Sequence, residues 1–148
     1  MSVNQPQRSV ADPYNLERFV QAQAPIYNRV LAELRAGVKT SHWMWFIFPQ
    51  IRGLGHTAFS IEYSISSREE ARAYLQHPVL GPRLKECTEL VVRVEGRSIE
   101  EIFGSPDDMK FRSSMTLFAQ VSDNDDIFER ALKRYFGGVP DRLTLERL

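Results

Sequence analysis

Both tryptophans of this chain fall in one ten-residue run, Ser41-His42-Trp43-Met44-Trp45-Phe46-Ile47-Phe48-Pro49-Gln50, which leads into Arg52-Gly53-Leu54-Gly55-His56. Indole faces stack on planar ligands, a glutamine amide can orient them, and an imidazole titrating near neutral pH can act as acid or base. Trp43, Trp45 and Gln50 are therefore candidate ligand contacts, and His42 is the first candidate for proton transfer. The same residues would also serve as core filler, the aromatics pinning the following loop and His42 bonded to backbone. What the run lacks is positive charge. A second segment supplies it: at helical spacing Asp107, Lys110 and Ser114 share one face, with Arg112, Ser113 and Thr116 beside it. Asp107 is the second candidate acid or base. Lys110, Arg112 and Arg52 are candidate charge partners for an anion, and Ser113 is a candidate hydroxyl contact. Hydroxyls on so apolar a segment either bond back to helix carbonyls or line a polar cavity. The expectation is that His42, at least one tryptophan, and Lys110 or Arg112 converge on one solvent-reachable cavity.

Other chemistries find less support. Arg52 to His56 could wrap an anion with backbone amides, but it is neither a Walker loop nor a dinucleotide fingerprint, and a turn is the favoured reading. The three histidines, at 42, 56 and 77, show no paired spacing, so no metal is expected. No nucleophile-elbow pattern surrounds Ser113, and no cofactor is implied. Nineteen basic and nineteen acidic side chains balance to a net charge of zero, which gives no reason to expect nucleic acid or an anionic membrane as partner. The longest strongly apolar run, Trp43 to Phe48, is too short to span a bilayer. Cys87 is the single cysteine; it excludes an intramolecular disulfide and suits a reducing, cytoplasmic setting.

The elements that must position these groups are bracketed by punctuation. Residues 1–11 are polar and without period, a loose terminus ahead of a domain over 12–138 and a tail over 139–148 with at most one frayed turn. Asp12-Pro13 reads as N-cap and first helical residue, and Pro25 divides the stripe Leu16, Phe19, Val20, Gln23 from a second on Ile26, Tyr27, Val30, Leu31 and Leu34 that ends at Gly37. The tryptophan run fits strand or helix equally, with Pro49 ending it. Phe59, Ile61, Tyr63 and Ile65 alternate, which predicts a short extended segment near 59–65. Ser66 to Glu69 and Ser98 to Glu101 read as capping boxes, Gly81-Pro82 as a helix start, and Ser105-Pro106-Asp107-Asp108 as N-cap, first-turn proline and two acids for a helix to about Val121. A last helix starts near Asn124 or Asp125 and ends at Gly137-Gly138. The result is an all-α domain of six or seven helices.

The tryptophan run, His77-Pro78-Val79-Leu80-Gly81-Pro82-Arg83-Leu84 and Ser113-Ser114-Met115-Thr116-Leu117-Phe118 together resemble a bacterial family known as domain of unknown function 1810. The likeness runs from about Asp12 to Phe136 and implies a compact all-helical fold. It brings no established activity and hence no catalytic residue. Members are sometimes labelled calpastatin; that disordered, proline- and charge-rich inhibitor would not have this aromatic content or these capped amphipathic segments.

Two functions fit. One is a cytosolic binder of a nucleotide-like or anionic metabolite, or an unassigned enzyme, built on the histidine and tryptophans. The alternative is a non-enzymatic module that presents an aromatic surface to a protein partner. Burial separates them: indoles and His42 converging on a concave site favour the ligand, indoles flat on the surface favour the partner, and wholly enclosed indoles favour neither.

Overall fold

Side chains that satisfy otherwise unpaired amides set most helix starts in this protein, and the computed structural model, which describes residues 12–123 and 126–148, holds ten α-helices among them. They are α1 Glu17–Gln23, α2 Tyr27–Ala36, α3 Met44–Ile47, α4 Ala58–Glu62, α5 Arg68–Gln76, α6 Leu80–Arg93, α7 Ile99–Phe103, α8 Asp107–Ala119, α9 Ile127–Phe136 and α10 Arg142–Glu146. The three beyond the expected seven are one-turn helices, α3, α4 and α10, too short to carry a periodic stripe.

Several starts lie where the sequence puts them, and others shift by local geometry. Ser98 and Glu101 form the reciprocal capping box of α7. The carboxylate of Asp12 accepts from the amides of Leu16 and Glu17 at 2.7 and 2.8 Å, so it caps across an intervening turn and α1 begins at Glu17 instead of Pro13. Ser67, one residue later than expected, caps α5 by accepting from Glu70 N, because the Glu70 carboxylate is turned back to Ser66. Imidazole Nδ1 of His77 accepts from the amides of Val79 and Leu80, which starts α6 ahead of Gly81. Ser105 makes no cap for α8; Pro106 occupies that position, with Asp107 and Asp108 in the first turn. The expected start at Asn124 or Asp125 lies outside the described residues, and Asp126 caps α9 through Glu129 N. Gly37 and Gly137, at φ 80° and 63°, close α2 and α9 in the left-handed conformation that a Cβ disfavours.

The expected extended segment at 59–65 is a helix for most of its length. Thr57 and Ser60 form a reciprocal capping box that starts α4, and Phe59 and Tyr63, four apart, lie on one helical face with Phe46. Alternation and helical spacing coincide at those two residues. Only Ile65 is extended, pairing in parallel with Ile51 through Arg52 N to Ile65 O and Ile65 N to Gln50 O, both 2.8 Å.

Helix α8 is the centre of the packing, touching α5, α7, α9 and α10 and burying Phe111, Met115, Leu117 and Phe118. Around its start, Phe111 meets Phe48 and Phe103 at 5.0 Å between centroids, and Trp43 packs on Phe48 and Phe103. Each fully buried ring of this kind stabilises the fold by about 1.5–3 kcal/mol through lost water contact. The tail residues 139–148 carry α10, capped by Asp141 and packed on α8. No helix among the described residues is long and apolar enough to cross a membrane.

Candidate functional site

The two indoles have different environments. Trp43 is enclosed in the core, and its Nε1 donates to Glu33 Oε1 at 2.9 Å. The same carboxylate accepts from Thr40 N, Ser41 N and Ser41 Oγ, so Glu33 ties down the whole start of the run. Burial alone would push the Glu33 carboxyl upward; the hydrogen bonds from Ser41, Thr40 and Trp43 outweigh it and hold the group down at about 2. Trp43 is therefore structural, and the expected stacking platform at this indole is absent.

Trp45 is half-buried and lines a narrow crevice with Met44, Phe48, Gln50, Ser60, Tyr63 and Lys110. The crevice is nearly closed, with room for only about one water molecule. Lys110 Nζ lies 5.5 Å from the Trp45 ring centre and 3.5 Å from Asp107 Oδ1. Asp107 Oδ2 in turn pairs at 2.9 Å with Lys39, whose ammonium lies 5.2 Å from the Trp43 ring. One carboxylate thus joins two ammonium groups, each over an indole. Burial, and secondarily Glu62, raises the Tyr63 phenol against an opposing effect of Arg18, so Tyr63 offers a neutral hydroxyl at neutral pH.

A family model described as protein of unknown function (DUF1810) matches residues 13–148. The chain belongs to this family. The chain is also similar to a solved structure, the conserved hypothetical protein Rv1873 from Mycobacterium tuberculosis, at 60% identity and a TM-score of 0.91, covering 93% of this chain and 98% of that one. No curated protein matches. DUF1810 membership thus supplies the fold and leaves the chemistry to the residues.

Of the residues singled out in the sequence, Trp45, Gln50 and Lys110 meet in the crevice, and Asp107 adjoins it through Lys110. His42 does not join them: it is exposed, because the Glu33 bonds to Ser41 and Trp43 fix the backbone on either side of it. Arg112 points elsewhere, with Nε donating to Val139 O at 3.0 Å and the guanidinium over Phe136. Ser113 Oγ lies 3.2 Å from both Met109 O and Asp141 Oδ2, and Thr116 Oγ1 donates back to Arg112 O while accepting from Asp141 N. These hydroxyls hold the tail onto α8 and do not line the crevice. Arg52 is exposed on a turn, and the chain's own Arg147 guanidinium packs directly against Gly53.

Residues that sequence reasoning passed over include Arg18, Glu33, Lys39 and Tyr63. All five N–H groups of Arg18 are used, on the carbonyls of Tyr14, Asn15, Glu62 and Ser64 and on the Glu70 carboxylate, so it anchors the chain behind Tyr63. Gln23 is fully buried, its amide donating to Phe46 O at 2.7 Å and to Tyr74 Oη at 3.1 Å. Cys87 is buried, and desolvation pushes its thiol up to about 12 despite a contact with Tyr27 Oη, which leaves it unreactive.

Proposed function

We propose that this protein binds a small planar anion in the crevice between Trp45 and Lys110. The observation that carries this reading is the meeting of Trp45 and Gln50, Ser60 and Tyr63, and Lys110 from three separate parts of the chain on one narrow cleft of mixed polar and apolar surface. In its present shape the cleft holds about one water, so a ligand has to displace a wall. Helix α4 is that wall: it buries none of its own residues and is not among the closely packed helix pairs. Its opening is less costly than that of any core helix. The reading assigns no reaction, since His42 lies outside the crevice and Asp107 serves as counter-ion to two lysines. A cytoplasmic setting fits, because the one cysteine is a buried thiol.

The test is nuclear magnetic resonance of ¹⁵N-labelled protein, which gives two indole N–H signals. Planar anions titrated to millimolar concentration are expected to shift the Trp45 signal and leave that of Trp43, bonded to Glu33, in place. No movement at Trp45 from any of them would overturn the reading. A second reading, docking of a protein partner, is favoured by Phe59 and Ile61, which are 49% and 61% exposed on α4. It requires Ile61→Ser to abolish partner binding while Lys110→Gln leaves it intact.

A further inference from the structure

The charge arrangement beside the crevice narrows the ligand, given the binding reading above. Among the described residues, Lys110 is the only charged one lining the crevice. Behind it Asp107 is bound on both oxygens, but unequally: Lys39 at 2.9 Å has the length of a good charge-assisted hydrogen bond, whereas Lys110 at 3.5 Å does not. The Lys39 side chain is only 8% exposed, and an ammonium so enclosed must keep its counter-ion. Lys110, 29% exposed, is free to leave. Two ammonium groups against one carboxylate leave a net charge of plus one.

We infer that the crevice selects a planar monoanion of the aromatic carboxylate class, with Lys110 receiving the carboxylate while Lys39 keeps Asp107 neutralised. The ring of such a ligand stacks on Trp45, and the Gln50 amide provides a donor for the second carboxylate oxygen. A phosphate dianion would bring more charge than one ammonium can balance, and among the described residues no arginine fork lines the crevice to take it. Lys39 is a positioning residue: it makes Lys110 available without touching the ligand.

Three probes on the same ring separate the possibilities: benzoate, benzamide and phenyl phosphate, each titrated at neutral pH against the Trp45 indole signal. In the wild type benzoate is expected to bind about tenfold more tightly than benzamide, the effect of one partly screened charge-assisted bond, and more tightly than phenyl phosphate. Lys110→Gln should bring benzoate down to the level of benzamide, whose own affinity stays put. Asp107→Asn removes the counter-ion, exposes two positive charges, and should move the preference to phenyl phosphate. The Trp43 signal reports intact folding in each variant, and Lys110→Gln alone decides the matter if Asp107→Asn loses that signal. Benzamide binding as tightly as benzoate, phosphate binding best to the wild type, or an unchanged order in Lys110→Gln would each overturn the inference while leaving the crevice reading standing. If none of the three moves Trp45, the crevice reading falls and takes this one with it.

Discussion

Glu33 on α2 and Trp43 at the mouth of α3 are joined by a 2.9 Å hydrogen bond from indole to carboxylate, inside the core and ten residues apart. The bond decides the role of the aromatic run. It orients Trp43 inward, and with Ser41 also bound to Glu33 the intervening His42 is left facing solvent. Since the carboxylate serves four donors at once, its ionisation is linked to folding.

That linkage gives a pH prediction with a definite sign. Glu33 falls from an ordinary value of 4.5 to about 2 on folding, so its contribution to stability is present above pH 4.5 and is lost as pH falls through about 2. The shift corresponds to a contribution on the order of 3 kcal/mol. Acid unfolding followed by the Trp43 signal should show this loss, and Glu33→Gln, which mismatches its amide with the donors, should be less stable by about 2–3 kcal/mol at neutral pH and flatter between pH 4.5 and 2. Parallel curves for the two proteins would refute the assignment.

The two tryptophans should separate cleanly on truncation. Trp43→Ala removes an enclosed ring and leaves Glu33 short of a donor, costing about 3–5 kcal/mol, whereas Trp45→Ala removes a half-buried ring and should cost less than half of that. Melting curves measure the difference. Acrylamide should quench Trp45 fluorescence and spare Trp43; equal quenching would contradict the placement of both.

What could be read from the sequence was what local geometry controls. Ser98 with Glu101, Pro25, Gly37 and Gly137 act within one turn, so their effects hold whatever packs around them. Phe59 and Tyr63 misled because a spacing of four satisfies both alternation and a helical face, and the deciding residue, Thr57, lies before the pattern. Glu33 gave no signal at all: an acid within an amphipathic helix looks solvated until Ser41 and Trp43 fold back on it. The meeting of Trp45 with Lys110 was legible from complementarity, aromatic surface on one segment and charge on another. The exclusion of His42 was not, because it depends on that same Glu33.

Arg18 should tolerate no replacement, lysine included. Its planar guanidinium makes five hydrogen bonds and stacks 4.5 Å from the Phe19 ring centre, whereas an ammonium has three donors in a different geometry. Arg18→Lys keeps the charge facing Glu70 and should still cost roughly 2–4 kcal/mol by leaving carbonyls and part of a buried carboxylate unpaired. Denaturant unfolding measures it. A loss no greater than about 0.5 kcal/mol would mean that the network carries little.

Gly55 tests whether α4 is the movable wall of the crevice. A Cβ at that position would lie 2.6 Å from Ser60 Cβ, too near for either atom, and Ser60 Cβ is fixed to the helix backbone. Gly55→Ala must therefore push α4 outward, while the core beneath, held by Trp43, Phe48 and Phe111, has no reason to move. The expected cost is about 1–3 kcal/mol of local strain. Hydrogen exchange should speed at the amides of Ile61 and Tyr63, which bond to Thr57 O and Phe59 O, and stay slow in α8. Adding Ser60→Gly removes the colliding Cβ, so the penalty of Gly55→Ala measured in that background should shrink by most of its value. An unchanged penalty, or faster exchange spread through α8, would show that α4 is part of the core and not its cover.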